Sequence, residues 1–136
     1  MHVVEAIKSS ARKGCSPETR VLNQESDFPY GKYVRQGDLM IQRLPLKNIK
    51  KFKLAGEASR QLAPGTETGS KHIVRPGPKV HARQNATPLE GAVIEAPEGL
   101  YIEHPKHAHF DIGLPGCYVV TYQRDLSAEG IQRVKD

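Results

Sequence analysis

Apolar residues are sparse before residue 34 and gather after it. Lys8 to Gly14 and Ser16 to Gly31 keep no period of either 2 or 3.6, so no regular element is expected there. Val3, Val4, Ala6 and Ile7 form a short apolar run that needs a partner to pack against. From Tyr33 the pattern changes. Arg35-Gln36-Gly37-Asp38 reads as a turn into a strand, Leu39 to Leu44, which Pro45 ends. Ala63 to Pro78 has loop composition, interrupted by the brief strand candidate His72-Ile73-Val74. Gly91 to Glu95 and Leu100 to Glu103 flank Ala96-Pro97-Glu98-Gly99, which predicts a hairpin: Pro97 presets its own φ and Gly99 accepts a positive one. A second hairpin is expected between His107 to Ile112 and Cys117 to Arg124, across Leu114-Pro115-Gly116. On the last strand Tyr118, Val120 and Tyr122 share one face while Cys117, Val119 and Thr121 share the other, so it is expected to be central and buried on both sides. Ser127 is placed to cap a short helix from Ala128 to about Val134.

The chain has 136 residues with 12 Gly and 10 Pro, and so many helix breakers in so short a chain argue against a helical bundle. The expectation is mainly β: a single small antiparallel β-barrel or sandwich over residues 35–136, preceded by an extended N-terminal arm, residues 1–34, and closed by the short C-terminal helix. Trp is absent and aromatics make up only 6%, so the core is modest. Its expected members are Leu39, Ile41, Val93, Ile94, Tyr101, Ile102, Ile112, Tyr118, Val120 and Tyr122.

Charge and cysteine use narrow the setting. Lys and Arg number 20 against 15 Asp and Glu, a formal charge of +5. Arg43, Lys47, Lys50, Lys51 and Lys53 follow one another with no acidic residue between them, interleaved with Leu44, Leu46, Ile49, Phe52 and Leu54. Such a run suits a solvated face, a protein contact or nucleic-acid phosphate. Cys15 and Cys117 lie in unlike settings with no CxxC, which favours two free thiols and a reducing compartment. No signal peptide or membrane span is read, so the expected location is a virion or a host cytoplasm. Neither GxSxG, GxxxxGK nor GxGxxG occurs, which disfavours hydrolase and nucleotide chemistry.

The strongest chemical feature is His104-Pro105-Lys106-His107-Ala108-His109-Phe110-Asp111. His107 and His109 are two apart and are expected on one strand face with Asp111, where a further His72 or His104 would complete an open site for Zn²⁺, Fe²⁺ or Mn²⁺. The HxH element resembles the first cupin motif, although Gly113 and Leu114, after three and four intervening residues, stand where that motif has Glu. A longer resemblance is carried by Gly37-Asp38-Leu39 with Leu44-Pro45, Gly56-Glu57, Thr68 to His72, His104 to Ile112, and Leu114-Pro115-Gly116-Cys117-Tyr118 to Arg124. These blocks resemble a group of uncharacterised small bacterial and phage proteins with the pattern GDxLxxxxLP, GExTGHxH and HEEHxPIxLPPGxYxVxRQREY. Ser70 stands where that pattern often has the first His of HxH. The resemblance implies a compact β domain over about residues 35 to 135.

The function expected on these grounds is a non-enzymatic assembly protein with no cofactor, most specifically an accessory or capsid-stabilising component of a phage-like particle or a symmetric homo-oligomer. Val3, Val4 and Ile7 are its expected strand-forming contacts, with Lys8, Arg12, Lys13, Arg20 and the run Arg43 to Lys53 meeting acidic partner surface. A cupin-like metal enzyme or sensor using His72, His104, His107, His109 and Asp111 is one alternative, and a nucleic-acid-binding β-barrel is the other.

Overall fold

The computed structural model describes residues 18–62, 71–127 and 130–133. Its strands are β1 (Thr19–Leu22), β2 (Tyr33–Gln36), β3 (Leu39–Leu44), β4 (Leu54–Glu57), β5 (Ile73–Val74), β6 (Lys79–Arg83), β7 (Glu90–Ala96), β8 (Leu100–Glu103), β9 (His109–Ile112), β10 (Gly116–Tyr122), β11 (Arg124–Ser127) and β12 (Gly130–Arg133), with a 3₁₀ helix at Leu46–Lys51. A four-stranded sheet in the order β1-β9-β8-β5 faces a six-stranded one in the order β2-β3-β10-β7-β6-β4. Both sheets are open, so the architecture is a sandwich and not a barrel. Among the described residues no helix is long and apolar enough to cross a membrane.

Alternation along the strands builds the core between the sheets. Leu100, Ile102, Phe110 and Ile112 point inward from the four-stranded sheet and meet Val34, Leu39, Ile41, Val80, Ile94, Tyr118 and Val120 from the other. Between these inward positions, β9 turns His109 and Asp111 outward and β8 does the same with Tyr101 and Glu103. Tyr101, expected in the core, is therefore on the outer face, and Tyr122 is only partly buried. Strand β10 lies between β3 and β7 and is buried on both sides. Its second face, Cys117 and Val119 with Val93 from β7, is covered by Leu44, Ile49, Phe52 and Leu54 from the 3₁₀ segment and its flanks.

Neither expected hairpin forms as such. Strand β7 belongs to the six-stranded sheet and β8 to the other, so Pro97 to Gly99 is an arch that carries the chain across the sandwich. The β9-to-β10 connection crosses back in the same way. Gly99 is required in the first arch: its φ is +90°, and a Cβ there would stand 2.2 Å from the Ile112 carbonyl oxygen. Within the two sheets of the sandwich the hairpins are β2–β3 across the two-residue turn Gly37-Asp38, β6–β7, and β8–β9, whose loop is the histidine segment itself.

Two further expectations change. Residues 18–34, read as part of an extended arm, are built into the body: β1 pairs in parallel with β9, Leu22 and Phe28 join the core, and β2 borders the six-stranded sheet. Residues 1–17, with Val3, Val4, Ile7, Lys8, Arg12 and Lys13, lie outside the described residues. In place of the expected C-terminal helix, β11 and β12 pair antiparallel, with Leu126 opposite Ile131.

Candidate functional site

The turn between β2 and β3 sets the polar centre of the molecule. Its tightness brings Gln36 and Asp38, each almost wholly buried, to the same end of the core. His72, also buried, reaches both of them just before β5: Nδ1 lies 2.8 Å from Gln36 Oε1 and Nε2 lies 3.0 Å from Asp38 Oδ1. The Gln36 amide is oriented by donating through Nε2 to the carbonyls of Ile102 and Ala108, at 3.2 and 2.8 Å. Its oxygen must then accept, so His72 Nδ1 carries a hydrogen. The second ring nitrogen faces a carboxylate, and one proton bridges His72 and Asp38.

The β8–β9 loop adds two more imidazoles. His104 Nδ1 accepts hydrogen bonds from the backbone N–H groups of Lys106 and His107, at 2.9 and 3.0 Å, which fixes His104 as the neutral tautomer with its hydrogen on Nε2. The His104 ring centroid is 4.5 Å from that of His72 and 4.5 Å from that of His107. Three histidines thus line up as tilted rings from the core outward, with both ring nitrogens of His72 and Nδ1 of His104 bonded to protein groups.

His109 and Asp111 do not join this stack. Strand β9 begins only at His109, so His107 lies in the loop and shares no strand face with it. Outward-facing His109 meets Tyr101: Nδ1 is 3.2 Å from the Tyr101 hydroxyl, which is also 3.3 Å from Thr19 Oγ1. The Arg75 guanidinium lies 3.8 Å above the Tyr101 ring and donates to Glu103 Oε2 at 2.6 Å, a bond that raises the Arg75 pKa above its ordinary value. Beside these groups a cleft of about 360 Å³ runs between Arg75, Pro78, Pro97, Tyr101 and Asp111. The five residues expected as ligands are therefore divided between two places, and among the described residues no group of three or more His, Cys, Asp or Glu is arranged to hold a metal ion.

The basic run is also divided. Arg43, expected at the surface, is fully buried, because its position on β3 continues the inward face of Leu39 and Ile41. Its five N–H groups are all used: Nη1 and Nη2 bind the two Glu25 carboxylate oxygens at 2.6 and 3.2 Å, Nη1 also reaches the Phe28 carbonyl, and Nε and Nη2 reach that of Pro115. The guanidinium carbon stands 4.1 Å from the centre of the Tyr30 ring. Lys47, Lys50, Lys51 and Lys53 are exposed. Arg20, on β1, is exposed and stands over the Phe110 ring at 5.0 Å. The sequence marks none of Gln36, Asp38 and Glu25 as a chemical residue: the first two read as part of a turn, with Asp38 also in the Gly37-Asp38-Leu39 block.

Cys117 offers no nucleophile. Burial, with a smaller contribution from Glu95, pushes its thiol pKa up to about 11, so it is protonated at neutral pH. In a Cys15→Ser background, a thiol reagent should label native Cys117 at least ~10³-fold more slowly than urea-unfolded protein, because access requires opening of the fold. Labelling at comparable rates would show that the 3₁₀ segment does not cover it.

Comparison with known proteins agrees with a β domain whose chemistry is not assigned. A family model described as Domain of unknown function (DUF8820) matches residues 35–123, more than half of the chain, and the chain belongs to that family. The match begins within β2 and ends just after β10, so β1 lies outside it. No curated protein and no solved structure gives a match.

Proposed function

We propose that this DUF8820 member is a non-enzymatic assembly protein that associates through the edges of its sheets, with an accessory position in a phage-like particle as the specific setting. The observation that carries this reading is the placement of exposed apolar side chains. Of the four large ones among the described residues, Val21, Tyr30, Tyr33 and Ile73, three lie on strands that end a sheet: Val21 on β1, Tyr33 on β2 and Ile73 on β5. The β5 edge is partly occupied by a bridge from Gln61 to Ile73. Strands β1 and β2 are bordered on one side only among the described residues. An open edge bearing apolar side chains is a template for strand addition, and natural monomers usually blunt such edges with charge or proline. The polar groups in the interior support the same reading, since Arg43, His72 and His104 are engaged in holding the fold.

Multi-angle light scattering between ~5 and ~200 µM tests the proposal. The expected result is a defined oligomer, or co-sedimentation with a shell of larger subunits. Val21→Lys and Tyr33→Lys place charge on the edges and should raise the concentration for half-association by at least ~10-fold while leaving the thermal midpoint of the isolated domain nearly unchanged. A protein that is monomeric throughout this range and binds no shell is not an assembly protein.

A further inference from the structure

The 3₁₀ helix Leu46–Lys51 and its flanks present a cationic face that association through the sheet edges does not use. Between Asp38 and Glu57 the chain carries no acidic residue. Ile49, Phe52 and Leu54 pack onto Val93, Cys117 and Val119, and this anchoring turns Lys47, Lys50, Lys51 and Lys53 outward into solvent. Among the described residues none of these four lysines lies within ion-pair distance of a carboxylate. In a 3₁₀ helix residues three apart eclipse, so Lys47 and Lys50 stand in line along the axis, separated by a rise of ~6 Å.

The composition of this face indicates its partner. Protein interfaces are depleted in lysine and are centred on buried aromatic or arginine anchors. Here the one aromatic ring of the segment, Phe52, is partly buried against the sheet. The neighbouring Arg83, whose guanidinium carbon is 5.9 Å from the Phe52 ring centre, is tied to the carbonyls of Gly91 and Val120. What remains exposed is a set of long, flexible point charges with no apolar anchor and no planar fork for reading a base. That suits a polyanion neutralised charge by charge.

We propose that Lys47, Lys50, Lys51 and Lys53 form a sequence-independent contact surface for the phosphate backbone of nucleic acid. Four neutralised phosphates imply a slope of log K against log salt of about −3.6 on duplex DNA and about −2.8 on a single strand. Affinity for a duplex should then fall about 150-fold between 50 and 200 mM salt.

Fluorescence anisotropy of the full chain with a labelled 30-base-pair duplex of arbitrary sequence tests this. Lys50→Ala should reduce the slope by about one, leaving only an approximately 40-fold loss over the same salt range, and changing the duplex sequence should alter nothing. Replacing all four lysines by alanine should remove the salt-dependent binding, with unchanged circular dichroism and thermal midpoint showing that the fold is intact. The inference is overturned if the wild-type chain does not bind at 50 mM salt, if the fourfold variant keeps the wild-type slope, or if polyglutamate competes as well as DNA at equal charge. The last result would assign the face to an acidic protein. None of these outcomes depends on oligomeric state, so this test fails or succeeds separately from the edge-association test.

Discussion

Arg43→Ala is expected to destabilise the protein by about 3–5 kcal/mol, read as a shift in the urea midpoint at unchanged m-value. The loss has two sources. A fully buried long side chain leaves a cavity beneath Tyr30, Phe28 and Tyr118, and the carbonyls of Phe28 and Pro115 lose their donors. Arg43→Lys separates charge from geometry, because an ammonium keeps the charge but cannot supply five N–H groups in a planar fork; a loss of about 2 kcal/mol is expected. A lysine variant as stable as the wild type would show that charge alone is needed. The same clamp has a pH signature. The hydrogen bond from Arg43 holds the Glu25 carboxylate below its ordinary value of 4.5. Its contribution is fully present above that pH and is lost as the pH falls through the lowered native value, so Glu25→Gln should flatten the acid limb of the stability profile.

Asp38→Ala is expected to cost about 3–5 kcal/mol, since it breaks the buried pair between His72 and Asp38. Asp38→Asn should recover much of that. Its amide group can donate to a neutral His72 Nε2 while Nδ1–H still donates to Gln36, so every polar atom named here keeps a partner and the proton is no longer needed. His72→Ala combined with Asp38→Ala should cost clearly less than the sum of the two single changes, because the second removes a group that the first has already left without its charge partner. Nitrogen-detected NMR of the wild type gives a direct check: His72 Nδ1 should carry a hydrogen bonded to Gln36, and His104 should show the Nε2–H tautomer with Nδ1 accepting. Additive losses in the double variant would mean that the pair is not coupled.

What the sequence revealed and what it concealed follow from the range of the interactions involved. Alternation placed Leu39, Ile41, Ile94, Ile102, Val120 and Tyr118 in the core and identified β10 as central, because a period of two is local information. The turns at Pro97 to Gly99 and at Pro115 were also legible. Their consequence was not: the same turn chemistry closes a hairpin within one sheet or an arch between two, and only distant pairing partners decide between them. The histidine segment was found, yet His107 and His109 parted because the strand begins at His109, and strand ends are poorly marked by periodicity. Arg43 looked like one of a set of surface cations. Its burial depends on Glu25 and on a turn near residue 115, and nothing within a few residues of Arg43 in the chain records either. A hairpin, β11–β12, took the place of the helix that Ser127 favoured. The alternating positions of β11 and β12 are too short to announce themselves against that capping signal.

The parallel pairing of β1 with β9 also bears on how the protein is made. Thr19 to Leu22 meet His109 to Ile112, and β3 finds its inner neighbour only in Gly116 to Tyr122. A ribosome adding ~5–20 residues per second needs roughly 5–18 s to travel the 90 residues from Leu22 to Ile112, and for all of that interval the first strand has no native place to go. The nascent chain must therefore hold its early apolar residues unsatisfied until β9 and β10 have been made. A product that stops short of β10 lacks the central strand of the six-stranded sheet and is expected to be a substrate for chaperones or proteases and not a partial domain.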